Sequence, residues 1–114
     1  MTIPKDIRKK VEKEIETYCE KRVPQEVRGQ VQLAYKIRGN SIILFEKRPH
    51  YIEKQNIIEE PIAKIKYLSE SNEWQLYYQN RNLRWSEYWD LGPEKNITIL
   101  IQEIDTDPTG IFWG

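Results

Sequence analysis

From Val31 the chain changes to a period of two. Val31, Leu33, Tyr35 and Ile37 are separated by Gln32, Ala34, Lys36 and Arg38. Successive side chains of a strand point to opposite faces, so this pattern predicts a strand with one apolar face. Gly39-Asn40 interrupts the run and Ile42 to Lys47 resumes it, which is a hairpin signal. In the second strand Ile43 and Phe45 share one face, and Ile42, Leu44 and Glu46 share the other. Both faces are apolar near its start, which predicts a central strand with a helix over one side.

Three more strands follow. Ile62 to Leu68 sets Ala63, Ile65 and Tyr67 against Lys64 and Lys66. Trp74 to Tyr78 and Leu83 to Tyr88 or Trp89 come next, separated by polar turns at 69–73 and 79–82. Arg48 to Glu60 breaks the pattern between Pro49 and Pro61 and is long for a connection. It is expected to be a mobile loop, or to fold over the sheet edge on its isoleucines. Connectors this short give a mainly antiparallel meander.

Helical periodicity flanks the strands. Ile7, Val11, Ile15 and Tyr18 form one stripe over residues 5–22, with Cys19 beside it. Pro4 and Asp6 suit the start, Lys21 and Arg22 suit the end, and Pro24 stops the helix at Val23. A short helical turn is expected over 24–28, ended by Gly29. Ile97, Leu100, Ile101 and Ile104 predict a last helix opened by Pro93 and Glu94. The tail carries a turn, Asp107-Pro108-Thr109-Gly110, then Ile111, Phe112 and Trp113. An apolar end of this kind is expected to dock. The predicted fold is therefore α+β: N-terminal helix, five-stranded meander, C-terminal helix and docked tail. Its length of 114 residues predicts one domain spanning 1–114.

Composition excludes several functions. Formal net charge is zero, which argues against a globally basic nucleic-acid binder. The neutrality hides an asymmetry. Residues 1–48 hold twelve Lys/Arg against seven Asp/Glu, whereas 49–114 hold six against eleven. Such a split steers partners, pairs a dimer head to tail, or draws the two halves of one fold together. A single cysteine, Cys19, allows no intrachain disulfide, and a buried inert thiol is expected there. No apolar stretch approaches the length of a membrane span, so no membrane is expected and the cytoplasm is the default.

One histidine, one cysteine and no short-spaced ligand cluster predict no metal, and no motif predicts a cofactor. Asp105 and Asp107 read as turn or cap residues. No glycine-rich phosphate loop and no Gly-x-Ser-x-Gly elbow is present, so no catalytic residue is assigned.

Two groups of polar residues remain as candidates. Glu46, Arg48 and His50 stand where the second strand leaves the sheet, a place where loops carry function. Glu46 and Arg48 fall on one face and can form an ion pair, and His50 has the chemistry of a proton carrier. The second group lies on the later strands, which carry Tyr67, Trp74, Tyr77, Tyr78, Trp85, Tyr88 and Trp89. Most of these rings are expected in the core, with Trp74 and Trp85 inward. Tyr77 and Tyr88, beside Lys64, Lys66, Arg81 and Arg84, would form the opposite, binding face.

Four segments carry a resemblance. They are Cys19-Glu20-Lys21-Arg22-Val23-Pro24, Phe45-Glu46-Lys47-Arg48-Pro49, Pro61-Ile62-Ala63-Lys64 and Asp107-Pro108-Thr109-Gly110-Ile111-Phe112-Trp113-Gly114. The closing octet is the most specific. Together they resemble a family of small bacterial proteins of unknown function, over nearly the full length. The resemblance implies a bacterial, cytoplasmic, single-domain protein and brings no activity, cofactor or site residue.

The first reading is a non-enzymatic binding domain whose partner is another protein or a second copy, as a homodimer. The second is single-stranded nucleic acid on the aromatic and basic sheet face. The third is a small enzyme built on Glu46, Arg48 and His50.

Overall fold

Helix α1 covers Lys5–Arg22, the span the apolar stripe predicts. Pro4 has no side-chain cap to offer, but its carbonyl accepts from the Arg8 amide and starts the ladder. Val23 is extended, as a residue before proline must be, and ends the helix. The computed structural model describes residues 2–23, 31–50, 52–53 and 55–113. The helical turn expected over 24–28, with Gly29, lies outside the described residues.

Five strands follow: β1 (Gln32–Arg38), β2 (Ser41–Pro49), β3 (Ile57–Leu68), β4 (Glu73–Gln79) and β5 (Trp85–Glu87). They form one sheet in the order β1-β2-β3-β4-β5, every pair antiparallel. The fold is α+β, and the meander is wholly antiparallel. Gly39, with φ 59°, supplies the left-handed residue that turns β1 into β2. Asn40 ties that turn to β3, exchanging bonds with the Tyr67 backbone at 2.8 and 3.2 Å.

In the segment 48–60, Arg48, Pro49 and residues 57–60 are strand residues rather than an irregular loop. They extend the β2–β3 hairpin, with Arg48 opposite Ile58 and Pro49 opposite Ile57. A β-bulge makes this possible. Leu44 pairs with Ala63 and Phe45 with Pro61, leaving Ile62 as the extra residue. The bulge accommodates Pro61, which an unbroken ladder resists. Strand β5 is shorter than expected, because the turn before it runs to Arg84 with Leu83 at φ 60°.

Helix α2 spans Ile97–Thr106, and its N-cap is Asn96, whose side chain accepts from the Thr98 amide. Pro93 and Glu94 stand before the helix and do not open it. Glu94 and Trp74 exchange both backbone bonds, at 2.7 and 3.0 Å, so this stretch is held by β4. Both helices lie on one face of the sheet. Val11, Ile15 and Cys19 of α1 and Ile97, Leu100 and Ile104 of α2 join a core with Leu33, Ile42, Leu44, Ala63, Ile65, Tyr67, Trp74 and Leu76.

The apolar tail docks through Phe112 and Trp113, whereas Ile111 stays exposed. Asp107 adopts φ 45°, and its carboxylate accepts from the Phe112 and Trp113 amides at 3.1 and 2.8 Å. The Trp113 indole donates to the Ile104 carbonyl at 2.7 Å, and Arg22 of α1 lies 4.4 Å over its ring. Phe112 is thereby buried against Tyr88. Asp107→Ala removes two charge-assisted bonds and leaves the β-carbon in a left-handed residue without the local hydrogen bonding that offsets its strain. It is expected to cost on the order of 2 kcal/mol in urea unfolding. Asp107→Asn keeps one acceptor and tolerates the backbone, so it should cost less. Equal stability of all three proteins would show that this carboxylate does not hold the tail.

Candidate functional site

Cross-strand partners share a face, so the register sorts every strand residue. The face under the helices carries Leu33, Ile37, Ile42, Leu44, Ala63, Ile65, Tyr67, Trp74, Leu76 and Tyr78. The opposite face carries Lys36 beside Ile43, Lys47 beside Gln32, Lys64 beside Tyr77, and Lys66 beside Gln75. Trp85 and Glu87 extend it through Gln79 and Tyr77. No helix among the described residues covers this second face.

Phe45 shows how the bare face is built. It is only 5 % exposed, yet it does not belong to the core cluster under the helices. Lysine stems cover it. The Lys36 ammonium lies 4.9 Å and that of Lys47 6.0 Å from its ring centroid. Lys64 repeats the arrangement over Tyr77 at 5.3 Å. Long cationic side chains bury their methylenes on apolar surface and keep the charge in water. The result is a face where positive charge and aromatic rings alternate across four strands. Its acids are Glu59, which pairs with Lys36 at 3.5 Å, with Glu73 and Glu87 toward one side. Burial, with Glu87 second, raises the Tyr77 hydroxyl above its ordinary value and keeps it neutral.

The residues singled out in the sequence separate into three groups. Lys64, Lys66 and Tyr77 meet on the bare face. Tyr88 does not join them. Ser86 pairs with Tyr78, so Ser86 and Tyr88 turn inward and Trp85 turns outward. Tyr88 is 2 % exposed, and its hydroxyl donates to Glu103 at 2.7 Å. Arg84 lies in the turn before β5, where its amide donates to the Asn80 side chain. Trp85 takes the place given to Tyr88, and Phe45, Lys36 and Lys47 complete a site whose first strands had been read only for packing.

Glu46 stands opposite Glu60 in the ladder and makes no ion pair with Arg48. Arg48 pairs with Glu60 across the ladder. His50 closes its own hairpin tip, its Nδ1 accepting from the Ile52 and Glu53 amides at 3.2 and 3.1 Å. A ring nitrogen that accepts two amides serves the turn.

No group of His, Cys, Asp and Glu among the described residues has the makings of a metal site. Likewise no helix among them is long and apolar enough to cross a membrane.

A family model described as a domain of unknown function (DUF3024) matches residues 3–114. The chain belongs to this family. No curated protein and no solved structure matches it.

Cys19 is buried, and burial, with Glu16 and Glu20 adding to it, pushes its thiol up to about 11. Tyr18, Tyr35, Tyr77 and Tyr88 are likewise raised, chiefly by burial. The unfolded chain gives up these protons first, so their contribution is full at neutral pH and is lost as pH rises. Stability against urea is expected to decline from roughly pH 9 to pH 11. A flat profile across that window would mean that these groups titrate alike in the folded and unfolded chain.

Proposed function

We propose that this chain is a non-catalytic binding module, one domain long, whose working surface is the bare sheet face. Its partner is single-stranded nucleic acid. One observation carries the reading: Lys36, Lys47, Lys64 and Lys66 alternate with Phe45, Tyr77 and Trp85 on the face that no described helix covers. Backbone phosphates take the ammoniums, and bases stack on the half-exposed rings of Tyr77 and Trp85.

A protein partner or a second copy, the first reading of the sequence, suits this face less well. Lysine is depleted from the centres of protein interfaces, and here it occupies the centre. Phosphate recognition uses lysine readily as a point charge. With zero net charge over the whole chain, affinity rests on the local patch and falls steeply with salt. The bacterial, cytoplasmic setting implied by the family resemblance belongs to the same proposal.

The test is a fluorescence titration of the full chain with short oligo-dT and oligo-U at low salt. Quenching is expected, and Trp85→Phe should remove most of it. Lys64→Glu with Lys66→Glu should weaken binding at least about tenfold and lower the log–log salt slope by about 0.7 per lysine lost. No response in folded protein, or an unchanged affinity in the double variant, would overturn the reading. Binding of an acidic peptide in place of both oligonucleotides would transfer the face to a protein partner.

A further inference from the structure

On the other side of the sheet, α1 and the first turn of α2 do not close completely against β3 and β4. A cavity of about 440 Å³ remains between them. Ile7, Val11, Tyr67 and Trp74 form its apolar wall. Its charged lining is Lys10, Lys95 and Glu14, two cations against one acid.

Trp74 is the unusual member. It is 3 % exposed and its ring rests 4.8 Å from that of Tyr67. Its backbone is fully engaged with Glu94, but its indole N–H meets no acceptor among the described residues. The contrast within the same molecule is Trp113, whose indole donates to a carbonyl. No side-chain nitrogen or oxygen of the described residues is both sealed from solvent and unpartnered. The Trp74 N–H is therefore not sealed from solvent, and Trp74 is one of the residues that line this cavity.

The remaining groups have the same polarity. Asn96 caps the Thr98 amide, and Ile99 donates back to the Asn96 carbonyl. That leaves the Ile97 amide at the positive end of the α2 dipole. Lys95 donates to the Ser71 carbonyl at 3.1 Å and keeps protons for a second acceptor. Glu14 is occupied at the cavity edge, where its carboxylate accepts from the Thr98 hydroxyl at 3.1 Å. The cavity thus offers an indole N–H, a helix-terminal amide and two ammoniums, with an apolar wall behind them.

We propose that this cavity binds a small organic anion. Its oxyanion group accepts from the Trp74 indole and the first turn of α2, between Lys10 and Lys95, and its apolar body lies against Ile7, Val11 and Tyr67. The site is independent of the bare face, and a ligand here leaves the nucleic-acid reading untouched.

The four indole N–H signals of the ¹⁵N-labelled full chain provide the test, assigned by single Trp→Phe variants. Benzoate and phenyl phosphate are titrated separately, which decides between a carboxylate and a phosphate. The Trp74 signal should shift and saturate with one of them while those of Trp85 and Trp89 stay in place. Trp74→Phe keeps an aromatic ring and removes the donor, and should weaken binding about tenfold as read from the Ile97 backbone amide signal. Lys10→Glu with Lys95→Glu, both at exposed positions, should abolish it without altering the fold. A Trp74 signal unmoved by millimolar concentrations of both anions would overturn the proposal, as would an equal shift in the double-lysine variant.

Discussion

Every strand of this sheet neighbours the next one in sequence, so each connection is a hairpin and none is a crossover. Helices can then enter only at the two ends of the meander, and here both fall on the same side. Arg22 and Tyr18 of α1 reach Asp105 of α2, and Glu14 reaches Thr98, so the two helices close over one face together. The opposite face has to meet water with its own side chains. Rings that favour strands are useful there for twist and cross-strand packing, but they need cover. Lysine stems laid over Phe45 and Tyr77 provide it, each contact contributing about 0.5–1 kcal/mol. The same arrangement sets the ammonium groups of Lys36, Lys47 and Lys64 beside these rings. The arrangement that solvates the bare face is the same one on which the proposed anionic partner would rest.

The central hairpin depends on a single extra residue. Strand alternation predicts the inward set Ala63, Ile65 and Tyr67 correctly, because nothing disturbs the ladder between Lys64 and Leu68. Before that, Ile62 is inserted at the bulge, and the parity of β3 changes. A period-two reading cannot carry across such a change, which is why 48–60 resembles an irregular loop in the sequence. The prolines strengthen that impression. In the structure Pro49 and Pro61 occupy strand positions at the end of the ladder and beside the bulge, where a missing amide is tolerated.

The candidate site was legible in its parity and not in its sign. Trp85 and Tyr88 necessarily face opposite ways, and the larger apolar ring was the natural choice for the core. The structure reverses the pair. Tyr88 is accepted inside because Glu103 and Thr109 stand within reach of its hydroxyl and Phe112 covers its ring. Those three residues lie 15 or more positions downstream, on α2 and the docked tail. Their arrival is a tertiary fact that no local pattern encodes. Lys36 and Lys47 were hidden for a related reason. Each reads as the polar half of an alternating strand until the register sets both over Phe45.

Strand β4 connects the two surfaces. Trp74 and Leu76 point into the helix-covered side, whereas Gln75 and Tyr77 point to the bare side. The Trp74 indole has no protein acceptor among the described residues, and its nitrogen is not sealed from solvent. Gln75 gives the comparison: although buried, it satisfies its side-chain amide on the Leu76 carbonyl one residue away. The chain thus pairs its buried polar groups where nothing else is required of them. At Trp74 it holds the donor at the wall of a cavity, beside two lysines and the end of a helix. The strand between the two surfaces is paired along β3 on one side, and with β5 and Glu94 on the other.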